Sequence, residues 1–378
     1  MNNATYRAIV LIIITTALTF VTLSNQAQES YPTLADFWDG RAEWIVDIDN
    51  VGLPIGESDT IITETGQYWS YLHASQQSSD VIDQCGLPVT FPGCLTLWTS
   101  EDGENFSLEL PVCLMTCTTC PCDDQADHIE AQQYPRVVIA DDGLWYMVYE
   151  WHAQVIVRRS EDGLVWSDWE YLLTPAGTWQ SSYAECTETE SIGEHPNIRG
   201  QADDCILGAP PGLFIEGDTI YVFVMAGSAP AHMRCYKGNR HADLGDLQLC
   251  DTDPLFTGAQ TYGDIDLLGD DASEFWDFRY ISSAEIIQVG DYYYMAYEGI
   301  RGPSELEFGR DNQFGLGFAR STQLDGHWET LDRNPVVLGL VDNWGIGHAD
   351  LLVIDGITYM YSATSQETRG RYVLVWVD

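Results

Sequence analysis

Five segments of the chain repeat one pattern of apolar and polar positions. Each has an apolar run, a tight turn containing Gly or Asp, and a second apolar run rich in tyrosine. The segments begin near Asp59, Pro135, Pro210, Ser283 and His348. Short apolar runs joined by such turns are typical of antiparallel hairpins, and helical periodicity is nowhere sustained over three turns. The pattern therefore predicts an all-β fold built from five repeats.

A third apolar run with its own turn follows several of these hairpins, as in LWTSEDGENF and VRRSEDGLVW. Repeats of a few short strands cannot bury both faces alone, and they stack radially as propeller blades. The last repeat ends on the single run 371–377, while the early run 42–49 has no partner of its own. We predict a five-bladed β-propeller of four-stranded blades, closed by pairing of 42–49 with 371–377. The turn residues Asp102, Gly103, Asp162 and Gly163 are expected to hold the fold.

The N-terminus has the pattern of an export signal. Arg7 is the only charged side chain among the first 28 residues, and the apolar stretch Ala8–Leu23 follows it. This stretch is short for a membrane span, which disfavours the alternative of an uncleaved anchor. We predict a signal peptide over residues 1–27, a single propeller domain over residues 28–378, and a secreted or periplasmic protein.

The ten cysteines fall into local groups of even number. In an exported chain such groups are expected to form short-range disulfides. Zinc bound by the four-cysteine group, with His128 nearby, is the alternative for that group. The groups are Cys85 and Cys94; Cys113, Cys117, Cys120 and Cys122; Cys186 and Cys205; Cys235 and Cys250.

The charge balance is strongly acidic, with 58 Asp and Glu against 16 Lys and Arg and a net charge of −42. Lys237 is the only lysine. A surface this negative repels nucleic acid and anionic membranes, so we expect neither as a partner once the signal is cleaved, and we expect a monomer. It also suggests adaptation to salt, because counterions screen the repulsion between carboxylates.

Charged side chains occupy inward-facing positions of the predicted inner strands. Alternation along each strand directs Asp59, Glu285, His348 and Asp350 towards the propeller axis. The ends of the second strands add His73, Glu150 and Glu298. Glycoside cleavage requires a protonated acid and an ionised base, and crowded, buried carboxylates can supply both. The alternative is that these groups merely fill a wet channel.

The blade pattern, the Ser-x-Asp-Gly turns and the run GLGFARSTQLDGHWETLDRNPVV resemble the five-bladed glycosidases of glycoside hydrolase families 43 and 32 over about residues 55–378. The resemblance implies Asp59 as general base, and it places His348 on the axis beside a calcium ion or water, with no other cofactor required. Two residues of the family are missing from this chain. The family's third-blade Asp, which tunes the acid, aligns with Pro210, and its fourth-blade Glu, which is the general acid, aligns with Ser282. Glu285, three positions further on, is therefore the candidate acid.

Sugar binding requires aromatic faces beside polar groups. Trp151 and Trp344 are the predicted aromatic contacts, and the predicted polar contacts are Glu150, Glu298 and Asp350. A core position is the alternative for each tryptophan. Four arginines could either bind a substrate carboxylate or neutralise the acidic surface: Arg136, Arg279, Arg301 and Arg320.

These features together predict a secreted glycoside hydrolase that acts on a poly- or oligosaccharide, with inversion at the anomeric carbon. A propeller that binds glycans or another partner without catalysis is the alternative. No feature of the sequence identifies the sugar.

Overall fold

The computed structural model describes residues 31–73, 81, 94–110, 113–114, 132–151, 154–168, 170–171, 210–226, 231–258, 276–277, 280–301, 313–338, 348–365 and 367–377. Within these ranges the regular secondary structure is almost entirely β-strand. The exceptions are the short helix α1 (Leu34–Trp38) and one 3-10 turn (Leu244–Asp246). The predicted signal peptide lies outside the described residues, among which no helix has the length and hydropathy needed to span a membrane.

The strands form five antiparallel sheets, each of which is one blade. The first strand, β1 (Ala42–Ile48), belongs to the fifth blade. The first blade is β2 (Ser58–Ile62), β3 (Tyr68–His73), β4 (Leu95–Ser100) and β5 (Ser107–Leu110). The second blade is β6 (Gln132–Ile139), β7 (Trp145–Trp151), β8 (Gln154–Ser160) and β9 (Glu170–Tyr171).

The other three blades follow in chain order. The third blade is β10 (Gly212–Glu216), β11 (Thr219–Ala226), β12 (His232–Asn239), β13 (Gln248–Leu249) and β14 (Phe256–Thr257). The fourth blade is β15 (Tyr280–Val289), β16 (Tyr292–Arg301), β17 (Gln313–Ser321), β18 (Glu329–Thr330) and β19 (Val337–Leu338). The fifth blade is β20 (Asp350–Ile354), β21 (Ile357–Ala363) and β22 (Arg369–Trp376), with β1 on its outer edge.

The first strand of each blade lies at the centre, where β2, β6, β10, β15 and β20 contact one another in a ring. The hairpins that follow these strands turn at the glycine-containing positions that the repeats predicted. In the fifth blade Asp355 and Gly356 both have positive φ angles, 52° and 83°, which is the geometry of a type I′ turn. The predicted five-bladed propeller is therefore confirmed.

Ring closure is also confirmed, because β1 pairs antiparallel with β22 from Ala42 opposite Trp376 to Ile48 opposite Arg371. The prediction of four strands per blade holds for three blades and is wrong for the third and fourth. In the third blade β13 and β14 both pair with β12, at its two ends, so that two short strands share the outer edge. In the fourth blade β18 and β19 divide the edge of β17 in the same way.

Apolar side chains fill the spaces between neighbouring blades. The second and third blades meet through Val148 of β7 and Val222 of β11, among other buried residues. Helix α1 covers the fourth and fifth blades, where Phe37 packs edge-on against Phe318 with ring centroids 5.0 Å apart. Burial of this apolar surface is the main force that holds one blade against the next.

The Ser-Asp-Gly turns connect neighbouring blades. Tyr71 of the first blade donates its hydroxyl hydrogen to the Gly163 carbonyl in the second blade, at 3.0 Å. Tyr361 of the fifth blade makes the same bond to Gly103 of the first, at 2.7 Å. A Cβ atom on Gly163 would lie 2.6 Å from the Tyr71 hydroxyl, so only glycine allows this contact. The predicted fold-holding turns thus act between blades.

Two disulfides occur among the described residues. Cys235 pairs with Cys250, as their local grouping predicted. Cys94 pairs with Cys113, so its predicted pairing with Cys85 is wrong. The reason is geometric, because Cys94 precedes β4 and Cys113 follows β5, and the antiparallel pairing of these strands brings the two ends together. The other six cysteines, including three of the four-cysteine group, lie outside the described residues.

Candidate active site

Bulges in two inner strands direct charged side chains to the axis. The register of β6 shifts between Gln133 and Arg136, and that of β15 shifts between Ser282 and Glu285. In each bulge one residue that is not glycine has a φ of 55°. A bulge changes the direction of the side chains that follow it, and such backbone strain is concentrated at functional sites.

Tyr134 and Ser283 are the two strained residues. The bulge at Tyr134 precedes Arg136 in the second blade, and the bulge at Ser283 precedes Glu285 in the fourth. Strict alternation along β6 would direct Pro135 and Val137 inward. The bulge instead brings Arg136 to the centre of the ring.

The Arg136 guanidinium contacts carboxylates from three other blades. Its Nη1 atom lies 3.4 Å from Asp59 Oδ1 and 3.2 Å from Asp350 Oδ1. Its Nε atom lies 3.5 Å from Glu285 Oε2. Arg136 is buried, and its donors are used within the protein. It is therefore placed neither to bind a substrate carboxylate nor to neutralise the surface, the two alternatives that the sequence left open.

Asp350 is the most completely bound of these carboxylates. Arg369 Nη2 lies 3.0 Å from its Oδ2 atom, and the hydroxyls of Ser58 and Thr60 each donate to the same atom at 2.9 Å. With Arg136 on Oδ1, four donors surround the group. Asp350 was predicted to bind substrate, and the structure places it with no exposed surface at the base of the cluster.

Asp59 and Glu285 have fewer donors and shifted acidities. Asp59 is buried and accepts the Val137 N–H in addition to its contact with Arg136. Burial raises the pKa of Asp59 to about 7, although Arg136 acts in the opposite direction. Loss of water and the neighbouring Asp59 charge raise the pKa of Glu285 well above its usual range. Glu285 nevertheless keeps 17% of its side chain exposed, against 4% for Asp59.

A second buried network adjoins the first through Ser283. The Ser283 hydroxyl accepts a hydrogen bond from Arg136 Nη2 at 2.9 Å and lies 2.9 Å from His348 Nδ1. On the other side of the imidazole, Nε2 lies 3.3 Å from Glu298 Oε2 and 3.5 Å from Glu57 Oε1. Predicted residues His348 and Glu298 therefore lie together, one residue removed from Arg136.

Burial sets the protonation of this second network. It lowers the pKa of His348 to about 3 and raises that of Glu298 to about 8, so the imidazole is neutral and the carboxyl protonated near neutral pH. The Tyr134 ring stacks on the imidazole at a centroid distance of 5.4 Å and an angle of 12°. Glu57 joins His348 to His73, whose Nδ1 lies 3.2 Å from Glu57 Oε2.

The described residues contain no group of three or more His, Cys, Asp or Glu side chains that could hold a metal ion. Calcium prefers six to eight oxygen ligands, and the described residues around His348 do not supply such a set. The predicted ion or water near His348 stays a prediction.

The remaining predicted site residues lie in several places. Glu150 is buried near the end of β7, opposite Gln133 of β6. Trp151 is the last residue of β7, but its side chain is outside the described part of the chain, as is all of Trp344. Arg320 lies over the Trp38 ring, 4.3 Å from its centroid. The side chains of Arg279 and Arg301 are likewise outside the described residues.

The site residues that sequence reasoning missed include Glu57, Tyr134 and Arg369. Glu57 lies two positions before Asp59, so the same alternation that selected Asp59 contained a signal for it. Tyr134 reaches His348 only because of the bulge in β6, which strand alternation does not predict.

No protein-family model and no curated protein matches the sequence. Solved structures do match the fold. A proposed glycosidase from Bacteroides thetaiotaomicron aligns with a TM-score of 0.56 at 13% identity, covering 87% of this chain and 88% of the other. A proposed glycoside hydrolase from Parabacteroides distasonis aligns with a TM-score of 0.53 at 15% identity, covering 88% and 96%. These likenesses concern the fold, and at that level the resemblance to five-bladed glycosidases is confirmed.

Proposed function

We propose that the chain is a glycoside hydrolase in which Glu285 is the proton donor and Asp59 is the base. One observation carries this proposal: two carboxyl groups of raised pKa contact a single guanidinium at the axis of the propeller. Asp350 is already bound by Arg369 and by two hydroxyls. The other two carboxyls therefore compete for the charge of Arg136, a condition that favours one ionised and one protonated group.

The two roles follow from the difference between the two carboxyls. Asp59 contacts Arg136 and accepts the Val137 N–H, and both contacts favour its ionised form, which suits a base. Glu285 has a pKa raised well above its usual range and keeps part of its side chain exposed, which suits a donor to the leaving oxygen. In an inverting reaction Glu285 would protonate the glycosidic oxygen while Asp59 removes a proton from the attacking water.

A location outside the cytoplasm is part of the proposal. It is supported by the predicted signal peptide and by the disulfides Cys94–Cys113 and Cys235–Cys250, since such bonds persist in oxidising compartments. An exported glycosidase would meet poly- or oligosaccharides as substrates. The monomeric state stays a prediction.

A non-catalytic glycan-binding propeller is the second candidate, and the contacts of Asp59 favour it. Oδ1 of Asp59 contacts Arg136 and Oδ2 accepts the Val137 N–H, so both oxygens have protein partners. A base must instead reach a water molecule. For hydrolysis, substrate binding would have to loosen one of these two contacts.

A substrate screen separates the two candidates. The purified protein is incubated with aryl glycosides and with plant and algal polysaccharides, and reducing ends are measured beside an Asp59→Asn/Glu285→Gln double variant. We expect release by the unchanged protein and none by the double variant. Retention of a polysaccharide in affinity electrophoresis without release of reducing ends would support the binding function and contradict the hydrolase.

A further inference from the structure

The guanidinium group of Arg136 contacts the proposed base and the proposed proton donor through different nitrogen atoms. Nη1 faces Asp59 and Nε faces Glu285, at 3.4 Å and 3.5 Å. A planar guanidinium presents its N–H donors in fixed directions. The position of one carboxyl group relative to the other is therefore set by Arg136.

Backbone carbonyls from three blades hold the guanidinium in place. Nη1 donates to the Ser58 carbonyl at 3.2 Å, and Nη2 donates to the carbonyls of Ser283 and Ala349 at 3.3 Å and 3.4 Å. Arg136 is also buried to 97% of its surface. It cannot turn towards a substrate without breaking these bonds, so any effect on the reaction is exerted through Asp59 and Glu285.

Several charged and titratable groups surround this pair. Arg136 and Asp350 act on both carboxyls, and the Arg369 charge is directed at Asp350. Among the described residues, the charged and titratable groups around Asp59 and Glu285 include Arg136 on β6, Asp350 on β20, Arg369 on β22, Tyr71 on β3, Glu298 on β16 and His348 ahead of β20. Among these, Arg136 is the group that contacts both members of the pair.

We propose that Arg136 is a positioning residue, which fixes the separation of Asp59 and Glu285 and favours the ionised form of Asp59. Its consequence for catalysis rests on the proposed hydrolase function. The effect of Arg136 on the ionisation of Asp59 does not depend on the hydrolase function, because it follows from charge and distance alone.

Three variants test the inference. Arg136→Met removes the charge and keeps much of the side-chain volume, while Arg136→Lys keeps a charge and loses the planar fork. Arg240→Met is the matched control. Arg240 is equally buried and joins the third blade to the second through Asp141 and Asp142, at 2.9 Å and 2.8 Å, but it lies outside the axial cluster.

The first readout is ionisation of Asp59 by infrared difference spectroscopy, measured against Asp59→Asn in each background. We expect Arg136→Met to move this titration upward by one pH unit or more, because a nearby positive charge favours the carboxylate. Arg240→Met should lower the melting temperature and leave the titration unchanged. An unchanged titration in folded Arg136→Met would overturn the inference.

The second readout is the pH profile of kcat/KM on whichever glycoside is hydrolysed. Arg136→Met should move the acidic limb upward and lower kcat at least tenfold. Arg136→Lys should keep the acidic limb at its original pH and still have a lower kcat. This variant therefore tests the positioning role even if Arg136→Met does not fold. A wild-type kcat in Arg136→Lys would contradict that role. If no glycoside is hydrolysed but the infrared titration shifts, the proposed function fails and the effect of Arg136 on Asp59 stands.

Discussion

Carboxylates accept backbone N–H groups in two regions of this propeller, and their pKa values move in opposite directions. In the turn after β4, Asp102 accepts hydrogen bonds from the backbone of Glu104 and Asn105, and its pKa falls to about 2. At the axis, Asp59 also accepts a backbone N–H, from Val137, yet its pKa rises to about 7. The same kind of bond therefore accompanies opposite shifts, and the decisive difference is the water left around each group.

Carboxyl side chains have two different uses in these two regions. The turn aspartates Asp102 and Asp162 stay charged at the surface, where they hold Gly103 and Gly163 in place against the next blade. The axial carboxyls Asp59 and Glu285 are deprived of water, and their pKa values are raised above the usual range. A carboxyl of the first kind supports the fold, whereas one of the second kind is suited to transfer a proton.

The largest expected effect is on activity. Asp59→Asn and Glu285→Gln should each lower kcat/KM by about two orders of magnitude or more, since each removes one of the two groups proposed to transfer a proton. Asp162→Asn, in a turn, is the control and should change kcat/KM by less than about twofold. The rates are measured by reducing-end release. Near-full activity in either axial variant would remove that residue from the mechanism, and a large loss in Asp162→Asn would break the distinction between the regions.

The second-largest expected effect is on stability, at the contact between Gly163 and Tyr71. Gly163→Ala and Gly143→Ala both place alanine at a positive φ, 73° and 82°, which costs about 1 kcal/mol. At Gly163 the new Cβ would also meet Tyr71 and Trp145, whereas at Gly143 nothing lies within 4 Å. We expect Gly163→Ala to lower the free energy of unfolding by a further ~1–3 kcal/mol, measured by urea denaturation. Equal losses of unfolding free energy in the two variants would contradict a stabilising role for the contact between Gly163 and Tyr71.

The third effect is the pH dependence of stability. Asp59 has a folded pKa near 7 against an ordinary value of 3.8, so the folded state binds more protons than the unfolded state between these values. Stability should therefore fall as pH rises through this window, with a contribution of up to about 1.4 kcal/mol per pH unit. Asp59→Asn should flatten the slope of the free energy of unfolding between pH 4 and 7.

The turn aspartate gives the opposite sign and serves as the control. The lowered pKa of Asp102 contributes stability above pH 3.8, and this contribution is lost as pH falls towards 2. Asp102→Asn should leave the slope between pH 4 and 7 unchanged and flatten it below pH 4. If Asp59→Asn changed the slope only below pH 4, Asp59 would be ionised throughout the range from pH 4 to 7, and its raised pKa would be contradicted.

The smallest effect is that of salt. With a net charge of −42, the melting temperature should rise as NaCl is raised from low ionic strength, because counterions screen repulsion between surface carboxylates. Buried charges are screened far less, so the pH slope that depends on Asp59 should persist at high salt. A flat or falling melting temperature would leave the acidic composition unexplained by screening.

Much of the fold could be predicted from the sequence because each blade repeats the same local pattern. The position of Asp59 and the closing strand follow from strand alternation and from counting strands. The central role of Arg136 could not be predicted, since it depends on a bulge at Tyr134 that changes the alternation within β6. The pairing of Cys94 was mispredicted for a related reason: neighbours across β4 and β5 are closer than neighbours in sequence.

The most direct test of the central claim compares leaving groups. An aryl glycoside with an acidic phenol needs little protonation of its leaving oxygen, whereas a polysaccharide needs a proton donor. If Glu285 is the donor and Asp59 the base, Glu285→Gln should lose about two orders of magnitude in kcat/KM on the polysaccharide and far less on the aryl glycoside. Asp59→Asn should lose similar factors on both. Equal losses by Glu285→Gln on the two substrates would contradict the assignment of Glu285 as the proton donor.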